Sequence, residues 1–354
     1  MKPERTASPG QPNPPPPRVR VVVPTYRRPE LLRRALASLQ TQTFTDWIAA
    51  VHNDDPEDEA PAAIVRELGD LRIQAARASR HLGPVAVFNL AYTSGTEPFF
   101  ALLEDDNTWR PEFLQRLLQV LDAHPSVAAV WCNQRVIEQT DSGTWIDSGH
   151  SVRPEATSEN EPPRWATWGD FGQATGAALS NGAMLIRRPL TPALVTPAIP
   201  IAGVEAVRER LLPHPLLYVP QSLATLGLTR TTARSADGHA WGALQTLLLA
   251  TFVRHAGLDA AARHSFWQYL RRQSPAPTNI ALHAALSCPG CRCLLTGARP
   301  RDWFRYLRTL LGRPAGAWAS LRARRKHPDW WDLLESATAA RFAESGRPGG
   351  PRSP

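Results

Sequence analysis

The chain has 354 residues, 43% apolar and 20% charged, with 40 Lys or Arg against 32 Asp or Glu and a net charge of +8. This balance suits a folded protein and excludes a disordered one. Four cysteines over this length exclude a disulfide scaffold and make the reducing cytosol the expected compartment.

The charge is uneven. Residues 1–235 carry 23 basic and 25 acidic side chains, net −2, and residues 236–354 carry 17 and 7, net +10. Residues 1–17 are Pro-rich and suit a polyproline-like or disordered tail. Residues 18–23 read as a buried strand that Pro24 ends. Leu31, Leu32, Ala35, Leu36 and Leu39 then recur at helical spacing behind Pro29. A second strand covers 47–51 and leads into an acidic loop, 53–59, and a helix over 62–68. A third strand, 99–103, runs into Glu104, Asp105 and Asp106. A helix over 111–123 and a strand over 128–132 follow. Strands alternating with helices predict an α/β layer with a mostly parallel sheet, in which ligands bind outside the carboxyl ends of the strands. Both acidic clusters fall at such ends. Beyond 140 the pattern loosens around Trp145, Trp165 and Trp168, with further apolar runs at 182–186 and 216–219. From 236 the chain reads as Arg-rich helix, and 346–354 as a disordered tail. The expected organisation is therefore 18–235 as the α/β unit, split near 110, and 236–345 as a helical region.

Crowded carboxylates repel one another unless a cation offsets them, and oxygen-only ligands suit Mg²⁺ or Mn²⁺. Read alone, Glu104-Asp105-Asp106 is more readily a solvated turn that caps a helix, and Asp54-Asp55 admits the same reading. No Gly-rich phosphate loop follows the first strand, which disfavours a nucleotidyltransferase.

The stretch VVVPTYRRPELLRRALASLQTQTFTDWIAAVHNDD resembles the opening of family 2 glycosyltransferases. Asn89, the strand into Asp106, His124-Pro125, SNGAMLIRRPL and LLYVPQSLA continue the resemblance over roughly 19–235. It implies a GT-A type, Rossmann-like fold with a C-terminal helical extension. It also implies an inverting transferase that uses a nucleoside-diphosphate sugar, commonly a UDP-sugar, and Mn²⁺ or Mg²⁺. The acceptor would be a saccharide or a lipid-linked molecule. Pro24, Thr25, Tyr26, Arg28, Asp54, Asn89 and Asp105 would then hold the nucleotide, with Tyr26 against the base or ribose, Asp54 facing the base and Asp105 the ribose. Asp106 and Glu104 would hold the metal.

Inversion needs a general base on the acceptor hydroxyl. The resemblance implies that this carboxylate comes from the segment just before the late strand, where counting back from Tyr218 reaches Glu205, and Asp170 is the second candidate. Glu205 also reads as a surface residue paired with Arg208 one turn on. Arg27 stands where the family has Asn or a similar polar residue, and Phe88 where it has Arg. Arg77 and Arg80 are candidates for that missing charge. Trp165 and Trp168 suit either sugar stacking or core packing. A catalytically inactive scaffold of the same fold is the alternative.

Between Arg299 and Lys326 there are nine basic residues and one acid, Asp302. Trp303, Phe304, Leu307, Leu310 and Leu311 share a helical face, with Arg301, Arg305 and Arg308 toward the other. Such a helix either lies on an anionic membrane, here its inner face, or packs on the catalytic unit with its Arg face in water. No nucleic-acid recognition module is visible. Cys288, Cys291 and Cys293 read as loop thiols or, with Cys132 or His283, as part of a zinc site.

Overall fold

The computed structural model describes residues 17–188, 193–229 and 238–345. The proline tract before Pro17, the tail after Ser345, and Pro189 and Leu190 of the SNGAMLIRRPL segment lie outside the described residues. The α/β unit runs β1 (Val19–Thr25), α1 (Pro29–Gln40), β2 (Trp47–Asn53), α2 (Ala60–Leu68), β3 (Ile73–Arg77), α3 (Pro84–Thr93), β4 (Phe99–Leu102), α4 (Phe113–Ala123) and β5 (Ala129–Gln139). It continues through β6 (Trp145–Ser151), β7 (Arg164–Ala166), β8 (Met184–Arg187), α5 (Val204–Leu211) and β9 (Leu216–Leu228). Among the described residues seven α-helices follow: α6 (Gly238–Ala256), α7 (Ala260–Arg272), α8 (Thr278–Ser287), α9 (Pro300–Gly312), α10 (Pro314–Leu321), α11 (Ala323–Lys326) and α12 (Pro328–Ser345).

The strands form one sheet in the order β3-β2-β1-β4-β8-β5-β9-β7, with β6 beside β5. β3, β2, β1 and β4 are parallel, β8 runs antiparallel between β4 and β5, and β5 and β9 are parallel. The class is the GT-A type: a mixed, mostly parallel sheet flanked by helices, with a helical C-terminal region.

Alternate residues of β1 supply two cores. Val19, Val21 and Val23 pack with Leu32, Leu36 and Leu39 of α1 and Leu117 and Leu121 of α4. Val22 packs on the other face with Ala91 and Tyr92 of α3 and Phe100 of β4. Each fully buried Leu contributes roughly 1.5–3 kcal/mol, so the repeated apolar positions of α1 are enough to pin that helix.

Pro24 does not end the first strand, contrary to the sequence expectation; β1 continues to Thr25, with Pro24 opposite His52 and Thr25 opposite Asn53. Its neighbour β4 pairs only as far as Val22. Pro24 shares the edge on which Val22 O accepts from Leu103 N at 2.9 Å, so its missing N–H falls where the partner strand has already stopped.

A third core joins the C-terminal helices to the α/β unit. Leu247, Leu248 and Phe252 of α6, Trp267 of α7 and Leu334 of α12 pack with Trp168 and with Val204 and Val207 of α5. Helix α5 is therefore enclosed, and Arg208, Glu209 and Arg210 are all buried. This corrects the surface-helix reading of Glu205 and Arg208. Among the described residues no helix is long and apolar enough to cross a membrane.

Cys288 and Cys291 stand in the turn after α8, as loop thiols, and are buried in this third core; burial pushes the Cys291 thiol up to about 12. Among the described residues no three His, Cys, Asp or Glu side chains converge as a metal site. His283 is also buried, edge-on to Tyr306 at 5.1 Å, and neither ring nitrogen finds a partner among the described residues. Burial pulls its pKa from 6.5 to about 4. The folded protein therefore keeps His283 neutral where the unfolded chain takes up a proton. Its stabilising contribution is whole above pH 6.5 and is lost as pH falls toward 4, a change on the order of 3 kcal/mol. His283→Leu is expected to shrink the drop in melting temperature between pH 6.5 and pH 4. An undiminished drop in that variant would assign the acid sensitivity to other groups.

Candidate active site

The ends of β1, β2 and β4 lie side by side and carry the site. After β1, Tyr26 is 41% exposed and stands 4.8 Å from the His81 ring. Arg27 adopts φ 56°, the one non-glycine residue in the left-handed region among those described. Its Nε reaches Asp55 Oδ2 at 2.5 Å, and its guanidinium lies 5.1 Å from the Tyr26 ring. Left-handed backbone in a side-chain-bearing residue costs energy that neighbouring contacts must offset, and these two contacts hold it. After β2, Asp54 is buried and accepts from Leu82 N at 2.7 Å and Gly83 N at 2.9 Å, with His81 Nδ1 3.0 Å away. Both of its carboxylate oxygens thus tie down the 81–83 loop.

After β4 come the three carboxylates. Thr25 Oγ1 donates to Asp105 Oδ2 at 2.9 Å. Arg28 Nη1 bridges Asp105 Oδ1 at 3.2 Å and Asp106 Oδ2 at 3.3 Å. Arg34, stacked 3.7 Å over Trp145, donates to the Asp106 carbonyl. Glu104 Oε2 accepts from Asn107 Nδ2 at 2.8 Å, and Asn107 Oδ1 accepts from Gly227 N at 2.9 Å. Two glycines make this packing possible. A Cβ on Gly227 would fall 2.0 Å from the Asp106 carbonyl oxygen, and one on Gly182 would fall 2.7 Å from Glu104 Oε2.

Two cavities meet at these residues. One, of about 580 Å³, is lined by Pro24, Thr25, Tyr26, Arg28, Asp54 and Asp105 among others. The second, of about 500 Å³, is lined by Trp131, Asn133, Gln134, Arg153, Asn181 and Glu205 among others. Phe88, Glu104, Asp106 and Ile201 line both. Glu205 Oε1 accepts from Asn181 N at 2.7 Å.

Burial raises the pKa of all four carboxylates. It is the main cause at Glu104, with repulsion from Asp106, Glu205 and Asp105 added, and Glu104 lies well above the usual range. Asp105 is pushed up to about 6, and Asp106 and Glu205 are also raised. A divalent cation fits this oxygen-only, charge-crowded set. Among the described residues no three such side chains close on one point, and a carboxylate set of this kind suits a cation that takes further ligands from phosphate and water.

Two sequence candidates lie elsewhere. Asp170 lines neither cavity; it caps a short 3-10 turn, accepting from Gly172 N at 2.7 Å. Asn89 also lines neither. Its Nδ2 donates to Val195 O at 2.7 Å, and its Oδ1 accepts from Val195 N at 3.1 Å and Arg208 Nη2 at 2.9 Å. Arg77 turns away to Pro56 O and Glu59, and neither it nor Arg80 lines either of these two cavities. The cations near the carboxylates include Arg28, Arg34 and buried Arg208, which also donates to Asn181 Oδ1 at 3.0 Å. Trp168 is buried and Trp165 is exposed against His124 at 5.4 Å; Trp131 is the tryptophan at the cavity wall. Sequence reading did not single out Arg34, Arg153, Gly182 or Gly227, and it took in Asn107 only as the end of the Glu104-Asp105-Asp106-Asn107 run. Gly182 and Gly227 give no local signal, because what they avoid is a distant backbone or side chain.

Residues 20–185 match the profile of Glycosyl transferase family 2. Protein CgeD of Bacillus subtilis (strain 168) is 26% identical over 136 residues, 36% of this chain and 32% of CgeD. Succinoglycan biosynthesis protein ExoO of Rhizobium meliloti (strain 1021) is 30% identical over 114 residues, 32% of each chain. The match thus spans about a third of these relatives. The crystal structure of S. aureus TarS 1-349 in complex with UDP-GlcNAc superposes with TM-score 0.54 and 15% identity, over 90% of this chain and 91% of that one.

Proposed function

With residues 20–185 a family 2 glycosyltransferase domain, we propose that this transferase moves a sugar from a UDP-sugar to a hydroxyl acceptor with inversion, in the making of a cell-surface polysaccharide or glycoconjugate. The observation that carries the proposal is the junction of two cavities at Glu104 and Asp106, with Asp105 on one side and Glu205 on the other. The first cavity takes the nucleotide and the second the acceptor. The succinoglycan role of ExoO and the UDP-GlcNAc bound by TarS support the choice of pathway class and donor.

Tyr26 and His81 offer an aromatic wall to the base. Asp54 shapes the base pocket through the 81–83 loop, and Asp105 accepts from the ribose. Asp106, with Glu104, would hold Mn²⁺ or Mg²⁺, which supplies charge neutralisation on the departing diphosphate. Arg28 already sits on both aspartates and provides positive charge at the same place. Glu205 faces the acceptor cavity and takes the proton of the attacking hydroxyl. A bond forms from the acceptor oxygen to the anomeric carbon, the bond from that carbon to the diphosphate breaks, and the diphosphate leaves with the electron pair. Trp131, Asn133, Gln134 and Arg153 suit a polyhydroxylated acceptor, through stacking and hydrogen bonds.

Calorimetric titration of the full chain with UDP-, GDP- and TDP-sugars, with and without Mn²⁺, tests the reading. UDP-sugar binding that strengthens with Mn²⁺ is expected. Absence of binding by every donor would overturn it.

A further inference from the structure

Helix α9 faces the opposite way from an ordinary surface helix. Its buried side chains are Asp302 and Tyr306, and Trp303 packs beside them. Asp302 is inside because it accepts from Arg299 N at 2.9 Å and pairs with Arg271 Nη2 at 2.7 Å. Phe304, Leu307 and Leu311 stay outside, exposed by 71%, 51% and 82%. At 3.6 residues per turn they form one stripe, and Arg308, Arg301 and Arg305 run along its flank. On the next helix Trp318 is 53% exposed and carries Arg322 at 4.2 Å over its ring.

The charge around this stripe is of one sign. The one acid between Arg299 and Lys326 is Asp302, which is buried and paired. Arg301, Arg308, Arg313, Arg324, Arg325 and Lys326 are exposed, and among the described residues none of them has an acidic partner within ion-pair distance. Burying large apolar side chains against a partner while every flanking group is cationic requires a partner that is apolar in depth and anionic at its surface. We propose that the outer face of α9, with α10 beside it, docks on an anionic lipid bilayer. Phe304, Leu307 and Leu311 enter the acyl boundary, and the arginines reach the headgroups. The inference rests on this face alone and is independent of the donor, the acceptor and the base.

Sedimentation of the full chain with phosphatidylcholine vesicles, with and without phosphatidylglycerol, tests it. Binding to the phosphatidylglycerol vesicles that weakens as NaCl rises is expected, with little binding to phosphatidylcholine alone. Phe304→Ser with Leu311→Ser, and separately Arg301→Glu with Arg308→Glu, should each lower binding at least about tenfold. Melting temperature should hold, because these side chains face outward. If the apolar variant melts lower, the charge pair and the salt dependence decide. No binding by the unaltered chain, or binding indifferent to both variants, overturns the proposal. So does a dimer in solution that Phe304→Ser disperses without any vesicle binding, which would assign the face to a second copy.

Discussion

Glu205→Gln is expected to lower kcat by about 10²–10⁴-fold and to leave the donor dissociation constant unchanged. The substitution keeps an oxygen where Glu205 Oε1 accepts from Asn181 N, so the N-terminal turn of α5 is held as before. What it removes is the capacity to take a proton. Glu205 lies outside the nucleotide cavity lining, so donor titration should not register the change. Burial raises its pKa, which strengthens it as a base. Undiminished turnover in this variant would remove Glu205 from the mechanism.

Asp106→Asn should abolish the Mn²⁺-dependent part of donor binding and lower turnover by about 10²–10⁴-fold, the equivalent of several kcal/mol of transition-state charge stabilisation. A stability measurement separates this loss from misfolding. Asp106 is a crowded carboxylate whose ionised form burial already disfavours, with Arg28 and Arg34 opposing that effect. Neutralising it relieves repulsion at Glu104, so the variant should melt no lower than the parent while being inactive. Activity and Mn²⁺ response equal to the parent would transfer the metal role to Glu104 or dismiss it.

The sequence made the β1–α1–β2 unit and the acidic end of β4 legible, for a physical reason. Leu32, Leu36 and Leu39 have one buried side each, so their spacing reports their surroundings. The strands are apolar throughout because both of their faces are covered. Helix α3, PVAVFNLAYT, touches the third core through Val85, the β1 face through Ala91 and Tyr92, and the cavities through Phe88. It shows no single apolar stripe, so periodicity does not reveal it, and only the family resemblance puts Asn89 on a helix. Strand β3 leaves Gln74 and Ala75 exposed at the sheet edge and gives no alternation. Helix α5 misleads in the other direction. VEAVRERL has the composition of a solvated helix, but the C-terminal helices cover it. Its charges find partners that are distant in sequence, such as Gln173 and Ala178 for Glu209 and Asn89 for Arg208. Helix α9 was read as one apolar face and one basic face. Which of them looks outward was decided by the Asp302–Arg271 pair, and no local rule contains that pair.

The family profile stops at residue 185, but the enclosure of α5 places a natural seam nowhere near it. Helix α5 is clamped between the sheet and α6 and α12, so a truncation after β9 would leave Arg208, Glu209 and Arg210 facing water on one side and Glu205 unsupported. Grafting a new acceptor preference onto this scaffold would therefore mean exchanging α5 together with the helices that cover it. Physically, the acceptor side of the site and the helices behind it are a single packed body.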